Sequence, residues 1–217
     1  MDARLHAPAT QRNREPILAV LRRLLPADGT VLEIASGTGE HAVWLAARLP
    51  GLLFQPSDPS AAQRASIAAW IESAGLGNVR APLALDAAAA GWEAGAGIPS
   101  DLAAILCINM IHIAPWPAAQ GLVRGAGRAL AAGGLLYLYG PFHRGGRPTA
   151  PSNEAFDRSL RAQDPAWGVR DLEAVAAEAD AAGFALAELV EMPANNLSVV
   201  FRRRAGEPPP LRPRSAP

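Results

Sequence analysis

The sequence predicts an α/β protein: a doubly wound, mostly parallel sheet with helices on both faces. Three observations carry this reading. Apolar runs of strand character alternate with segments of helical period, the order expected of successive βα units. A glycine turn, SGTGEH (36–41), joins the first apolar run to a helical segment. The last two runs share the loop PANN (193–196), too short for a parallel crossover, so they pair antiparallel or are not neighbours. Seven strands are expected, the last antiparallel.

Each element follows from local pattern. Residues 1–10 are short and polar and are expected to be a flexible N-terminus. From Asn13 to Leu25, Ile17, Val20, Leu21, Leu24 and Leu25 recur at helical spacing, with Pro16 in the first turn. TVLEIA (30–35) reads as a buried strand, AVWLAARLP (42–50) as a helix ended by Pro50, and LLFQPSD (52–58) as a second strand. Ser60 caps a helix to about Ala74, with Ile67, Trp70 and Ile71 inward. VRAPLALD (79–86) reads as a third strand, loosened by Pro82. DLAAILCINMIHI (101–113) is the most continuous apolar run, hence a central strand buried on both faces. Pro117 opens a helix with Leu122, Val123, Ala126 and Leu130 inward, and Gly133–Gly134 turn the chain into LLYLYG (135–140). Residues 141–168 read as irregular, with a short helix from Ser152. Asp171 caps a helix ended by Gly183. FALAELVEM (184–192) and NLSVVFRRR (196–204) are the last two strands. One domain therefore spans 11–204, and the Pro/Arg-rich stretch 205–217 is expected to be a disordered tail.

Composition excludes several classes. Half of the 217 residues are hydrophobic and 18% are charged, which suits a packed core rather than a disordered chain. Twenty basic residues, all arginine, balance twenty acidic ones. A neutral chain lacks the positive field that holds nucleic acid, so no nucleic-acid partner is expected. The single Cys107 forms neither an internal disulfide nor a cysteine-based zinc site. The start has no apolar leader core and no run is long enough to span a bilayer, so a cytoplasmic protein without membrane contact is expected. Nothing in the sequence addresses oligomeric state.

The glycine turn carries most of the chemistry. Gly37, Gly39 and Ala42 satisfy G-x-G-x-x-G/A between a strand and a helix. Glycine lets the backbone turn sharply and lets a ligand approach it. Asp58, about twenty residues on, ends the next strand, where its carboxylate can accept from both hydroxyls of a ribose. Dinucleotides and S-adenosyl-L-methionine (SAM) both use such turns. A dinucleotide places its pyrophosphate at the helix N-terminus. Here Glu40 stands at that terminus and Glu33 near the end of the strand before it, adding negative potential where a pyrophosphate lies. SAM carries a sulfonium and an ammonium instead, and fits a carboxylate-rich turn better. Asp86 is placed to accept from an adenine amine, and Trp92 either covers the adenine or joins the core.

These residues resemble a known family. RNREPI (12–17), VLEIASGTGEHA (31–42), QPSD (55–58), SIAAW (66–70), CINMIHIAPW (107–116), LYLYGPF (136–142), SNEAFDRSLR (152–161), WGVRD (167–171) and MPANNLSVVF (192–201) are similar to stretches of the methyltransferase-like proteins grouped as domain of unknown function 938, which include the eukaryotic methyltransferase-like protein 26. The resemblance covers nearly the whole chain. It implies a Rossmann-like class I methyltransferase sheet and SAM as cofactor, and it supplies no acceptor. Ala35 stands where the general methyltransferase pattern often has its first glycine.

The cofactor set expected on these grounds is Arg12, Asn13, Glu33, Ala35, Ser36, Gly37, Gly39, His41, Asp58, Asp86 and Asn109. Arg12 and Asn13 enter because an N-terminal segment can fold over the cofactor, where an Arg can pair with its carboxylate. Methyl transfer needs alignment and exclusion of water, and a base only where the nucleophile must lose a proton. The candidate catalytic residues are His112, whose ordinary pKa suits a base, with Asn109, Tyr139 and His143. The stretch 139–171 is too long for a plain connector and offers an acceptor pocket, with Asn195 and Asn196 facing its mouth. His41, His112 and His143 lack a short metal-ligand spacing, so no metal is expected. The expected activity is SAM-dependent methyl transfer to a small molecule or a protein side chain. A non-catalytic SAM-binding module and an NAD-dependent oxidoreductase are the alternatives.

Overall fold

The computed structural model describes residues 2–206. Six strands form the main sheet: β1 (Gly29–Ile34), β2 (Leu52–Pro56), β3 (Leu102–Ile108), β4 (Leu135–Gly140), β8 (Phe184–Met192) and β9 (Asn196–Arg203). Their order is β2-β1-β3-β4-β9-β8. The first four run parallel, and β9 lies antiparallel between β4 and β8. The short loop at 193–195 thus joins an antiparallel pair.

Helices cover both faces. α1 (Pro8–Leu24) and α2 (Glu40–Ala46) bury Ile17, Leu21 and Leu45 against Val31, Leu106 and Tyr137. α4 (Trp116–Ala129) and α6 (Leu172–Ala181) bury Leu122, Val123, Ala126 and Val175 against Leu32, Ile105 and Leu136. Each fully buried Leu or Ile contributes roughly 2 kcal/mol of apolar transfer. α3 (Ala61–Ala74) begins as the sequence predicts, with Ser60 Oγ accepting from Gln63 N–H. Asp171 likewise caps α6, accepting from Glu173 and Ala174 N–H. Trp92 is core: its ring lies against Gly125 and its Nε1–H donates to Gly121 O. No described helix is long and apolar enough to cross a membrane.

The structure corrects three expectations. The sheet has six strands, because VRAPLALD does not form one. It touches β2 only through isolated bridges, Phe54 to Val79 and Ser57 to Leu83. An extra residue on the 79–83 side, with Pro82 lacking an N–H, breaks the ladder, and Gln55 Nε2 donates to Ala81 O at 2.8 Å instead. Residues 141–168 are more ordered than expected. β5 (Phe142–Arg144) pairs with β6 (Arg147–Pro148) and β7 (Arg170–Asp171), and α5 (Pro151–Gln163) runs for 13 residues. Residues 8–10, read as part of a loose terminus, are the first turn of α1, with Pro8 at its start. Before it, Leu5 N–H donates to Ser66 Oγ and Trp70 Nε1–H to Leu5 O, so this arm lies along α3. Of the tail expected at 205–217, residues 207–217 lie outside the described residues.

Candidate active site

The parallel strands β1 to β4 all end at one edge of the sheet, and the loop between β8 and β9 returns there, Leu197 standing opposite Gly140. Among the described residues, the four non-glycine residues of positive φ gather at this edge: Ala35 (54°), Asn109 (65°), Ala194 (59°) and Asn195 (58°). Such a conformation costs an alanine about 1–2 kcal/mol and an asparagine less. Clustering of that kind marks functional edges.

The glycine turn is stitched across the ends of β1 and β2. Ser36 N–H donates to Ser57 O at 2.8 Å and Ser57 Oγ to Glu33 O at 2.7 Å. Asp58 divides its carboxylate: Oδ2 accepts from Gly37 N–H at 3.0 Å and Oδ1 from Ser60 N–H at 2.9 Å. Gly39 is obligatory, since at φ 91° a Cβ would stand 2.8 Å from Ile67 Cα. At Gly37 an added Cβ meets nothing within 4 Å, so the backbone there faces open space. Beneath the turn, Glu33 is buried and its Oε2 has no partner among the described residues. Burial pushes its carboxyl up to about 7, Asp58 adding to the effect against a Ser36 hydrogen bond. Glu40 is turned to the N-terminal arm, accepting from Ala7 N–H at 2.6 Å and Thr38 Oγ1–H at 3.2 Å, with His6 Nδ1 at 3.3 Å.

A polar relay leads from the turn into a cavity. Burial lowers the His41 pKa to about 4, so its ring is neutral, and Nε2 bonds Asn13 Oδ1 at 2.8 Å. Asn13 also hydrogen-bonds the Tyr139 hydroxyl, whose pKa burial raises. Asn13 and Tyr139 line a cavity of about 500 Å³ with Arg12, Asn109, Ile113, Pro141, Ser152, Asn153, Phe156, Pro193 and Asn196. α1 and α5 form two of its walls and the β8–β9 loop a third. Asn153, which the sequence places in the long 139–171 stretch offering an acceptor pocket, is the buried rivet between them. Its Nδ2 donates to Asn195 O and Thr149 Oγ1, each at 2.9 Å, and Asn195 Nδ2 returns to Ser152 Oγ at 3.0 Å. The NEAF start of α5 and the NN pair carried that signal, but their proximity is a tertiary fact.

Three expected site residues belong neither to the cavity lining nor to the glycine turn and its relay. His112 is fully buried, and its Nδ1 accepts from Arg170 N–H at 3.1 Å. Nε2 therefore carries the proton, points at the Gly140 backbone and has no partner among the described residues. Burial, with Arg170 nearby, lowers its pKa to about 3. A ring so held offers only an N–H and is no base near neutral pH. Arg170 fixes the surrounding turn through Ile111 O and Ala114 O. His143 sits half-buried on β5, its ring outside the cavity lining. Asp86 is exposed and caps its own turn, Oδ1 accepting from Ala88 N–H at 2.9 Å. The third run failed to form a strand that would carry it to the edge. Among the described residues no group of three or more His, Cys, Asp or Glu is placed to hold a metal ion.

The sheet order, the glycine turn and the edge cavity define the Rossmann-like methyltransferase fold. An O-methyltransferase family protein from Burkholderia thailandensis is similar with a TM-score of 0.77 at 19% identity, over 92% of this chain and 58% of that one. A putative O-methyltransferase from Nostoc punctiforme gives 0.75 at 19%, over 90% and 57%. A methyltransferase of calicheamicin biosynthesis in its SAH-bound form gives 0.68 at 16%, over 89% and 55%. The chain thus spans less than three fifths of the length of these structures. A family model described as protein of unknown function (DUF938) matches residues 4–203, and the chain belongs to that family.

Proposed function

We propose that this protein is a SAM-dependent methyltransferase that modifies a small molecule bound in the edge cavity. One observation carries the reading. A buried carboxylate short of a hydrogen-bond donor, Glu33, lies under a glycine turn whose backbone faces open space at Gly37. That arrangement suits a cationic ligand and disfavours a pyrophosphate, which weakens the NAD alternative. The likeness to methyltransferases, one of them with SAH bound, supports the same cofactor.

The residues present fit SAM. Ala35, Ser36, Gly37 and Gly39 form the backbone cradle, with Glu33 beneath for the ammonium. Asp58 is placed for the ribose, exchanging Gly37 N–H for its hydroxyls. His41 and Asn13 hold the far wall, and Asn109, in its left-handed turn, stands between cradle and cavity. Once bound, the cofactor supplies an activated methyl group. The chain's own task is then alignment and exclusion of water, which is worth several orders of magnitude in rate when the reacting atoms are held at near-attack distance. Tyr139 and Asn13, locked to each other, fix one wall; Phe156 and Ile113 supply apolar faces that keep water out. A cavity of about 500 Å³ is within the range that holds a drug-sized molecule.

Calorimetric titration with SAM and with SAH tests this. Micromolar binding is expected, weakened at least tenfold by Asp58→Ala in a variant whose circular dichroism is unchanged. No heat at millimolar SAM refutes the reading. Binding without SAH production from any extract fraction leaves a SAM-binding module.

A further inference from the structure

We propose that the acceptor enters this cavity as an anion: an apolar-bodied small molecule whose nucleophilic oxygen is already ionised, as in a carboxylate or an acidic enol or phenol. The inference rests on the methyl-transfer reading and names its substrate class.

The composition of the wall is the first ground. Among the described residues lining the cavity, Arg12 alone carries a charge, and no Asp, Glu or His lines it. Arg12 is exposed, and no described residue forms an ion pair or hydrogen bond with its guanidinium. A cationic amine entering the cavity meets that guanidinium with no carboxylate to offset it. An anion gains a charge-assisted partner there. Ile113 and Phe156, 42% and 40% exposed, both stand on this wall, which fits an apolar body between them.

The absence of a base from this wall is the second ground. The Tyr139 hydroxyl is tied to Asn13, and the Asn153 amide is occupied by Thr149 and Asn195. His112 lies behind the Gly140 backbone with Nδ1 taken by Arg170 N–H, and His41 Nε2 is bound to Asn13. A neutral hydroxyl or an ammonium would find no Asp, Glu or His in the cavity lining to take its proton. An ionised oxygen needs none. Its lone pair forms the new O–CH3 bond as the methyl–sulfur bond breaks, and that bond's electron pair stays on sulfur, neutralising the sulfonium. The two opposite charges disappear together and no proton changes hands. Arg12, expected from sequence to hold the cofactor carboxylate, is assigned to the acceptor because it shares its wall with Phe156 and Asn196.

The test uses the full chain, methyl-labelled SAM, and the small-molecule and protein fractions of a cell extract as separate acceptors. Label is expected in small molecules, either as methyl esters that release labelled methanol in base or as base-stable neutral ethers; this distinguishes carboxylate from enol or phenol. Arg12→Met is expected to lower the rate at limiting extract at least tenfold, with recovery at saturating extract, partial rescue by Arg12→Lys and SAH affinity within twofold of wild type. Label in base-stable cationic products or in protein overturns the anionic acceptor while methyl transfer stands. Loss of SAH affinity in Arg12→Met, matching its loss of rate, overturns the assignment of Arg12. No labelled product from either fraction overturns the methyl-transfer reading itself.

Discussion

Replacing Glu33 by glutamine separates the stability of the apo protein from its use of the cofactor. Glu33 is 2% exposed, its Oε2 lacks a partner, and its carboxyl titrates near 7 rather than 4.5. A carboxyl with a raised pKa holds its proton in the native state after the unfolded chain has lost it. Stability therefore falls as pH rises from about 4.5 to about 7, and stays lower above that. At 1.36 kcal/mol per pKa unit, the shift corresponds to a loss of about 3 kcal/mol by pH 8. Glutamine fills the same volume without the charge. Glu33→Gln is thus expected to exceed wild type at pH 8 by about 1–3 kcal/mol, part of the gain being offset by the altered bond to Ser36. At pH 4.5 the two should unfold at the same urea concentration within error. The same substitution should weaken SAH at least tenfold, because a neutral amide no longer complements the ammonium. Urea denaturation at the two pH values and titration with SAH measure both. Parallel pH profiles refute the burial argument, and unchanged SAH affinity refutes the role given to Glu33.

Three further outcomes are expected. Gly39→Ala forces a Cβ to 2.8 Å from Ile67 Cα at φ 91° and should cost about 2–3 kcal/mol in urea unfolding, with loss of SAH binding; a stable variant that still binds SAH contradicts the tight contact of α3 with the turn. Asn13→Leu strands the His41 ring and the Tyr139 hydroxyl together and should cost about 2 kcal/mol, with turnover falling more than stability; normal turnover removes the relay from the mechanism. Ala35→Gly relieves a left-handed alanine at φ 54°, so its thermal midpoint should hold or rise, and a loss above about 1 kcal/mol shows the methyl is needed for packing.

Much of this architecture was legible because it rests on local chemistry. The period of 17–24, the Ser60 and Asp171 caps, and the short 193–195 connection each act within a few residues; α3, α6 and the last turn lie where their patterns place them, while α1 begins earlier, at Pro8. VRAPLALD misled because its apolar content matches a strand while Pro82 and the extra residue beside Gln55 deny it a ladder. The 141–168 stretch misled in the other direction. Its two-residue strands β6 and β7 are too short for any period, and pair only because β5 leads them off the end of the main sheet. At the site, the spacing of Gly37, Gly39 and Asp58 was readable, since turn and strand end are local features. The state of His112 was not. A ring that reads as a base from its ordinary pKa becomes a neutral donor because Arg170, far along the chain, brings an N–H to its Nδ1. The rivet of Asn153 on Asn195 is likewise a product of folding rather than of pattern.

The edge itself explains why so much of its geometry depends on distant partners. Among the described residues, the two left-handed alanines, Ala35 and Ala194, cost together roughly 2–4 kcal/mol, a sizeable fraction of the stability of a domain, and Asn109 and Asn195 add less. None of these turns can hold that conformation alone. Asn109 N–H is taken by Tyr139 O from the neighbouring strand, Ser36 beside Ala35 by Ser57 O, and Asn195 O by the buried Asn153. Ala35, Asn109 and Asn195 are thus each held in part from an adjacent strand or helix, while Ala194 O accepts from Asn196 Nδ2 within its own loop. The clamps run in series from β2 through β1 and from β4 into the Asn109 turn, so the shape of cradle and cavity is inherited from the register of the sheet. A one-residue slip of β4 against β3 would invert Tyr139 relative to Asn109 and separate the two halves of the site.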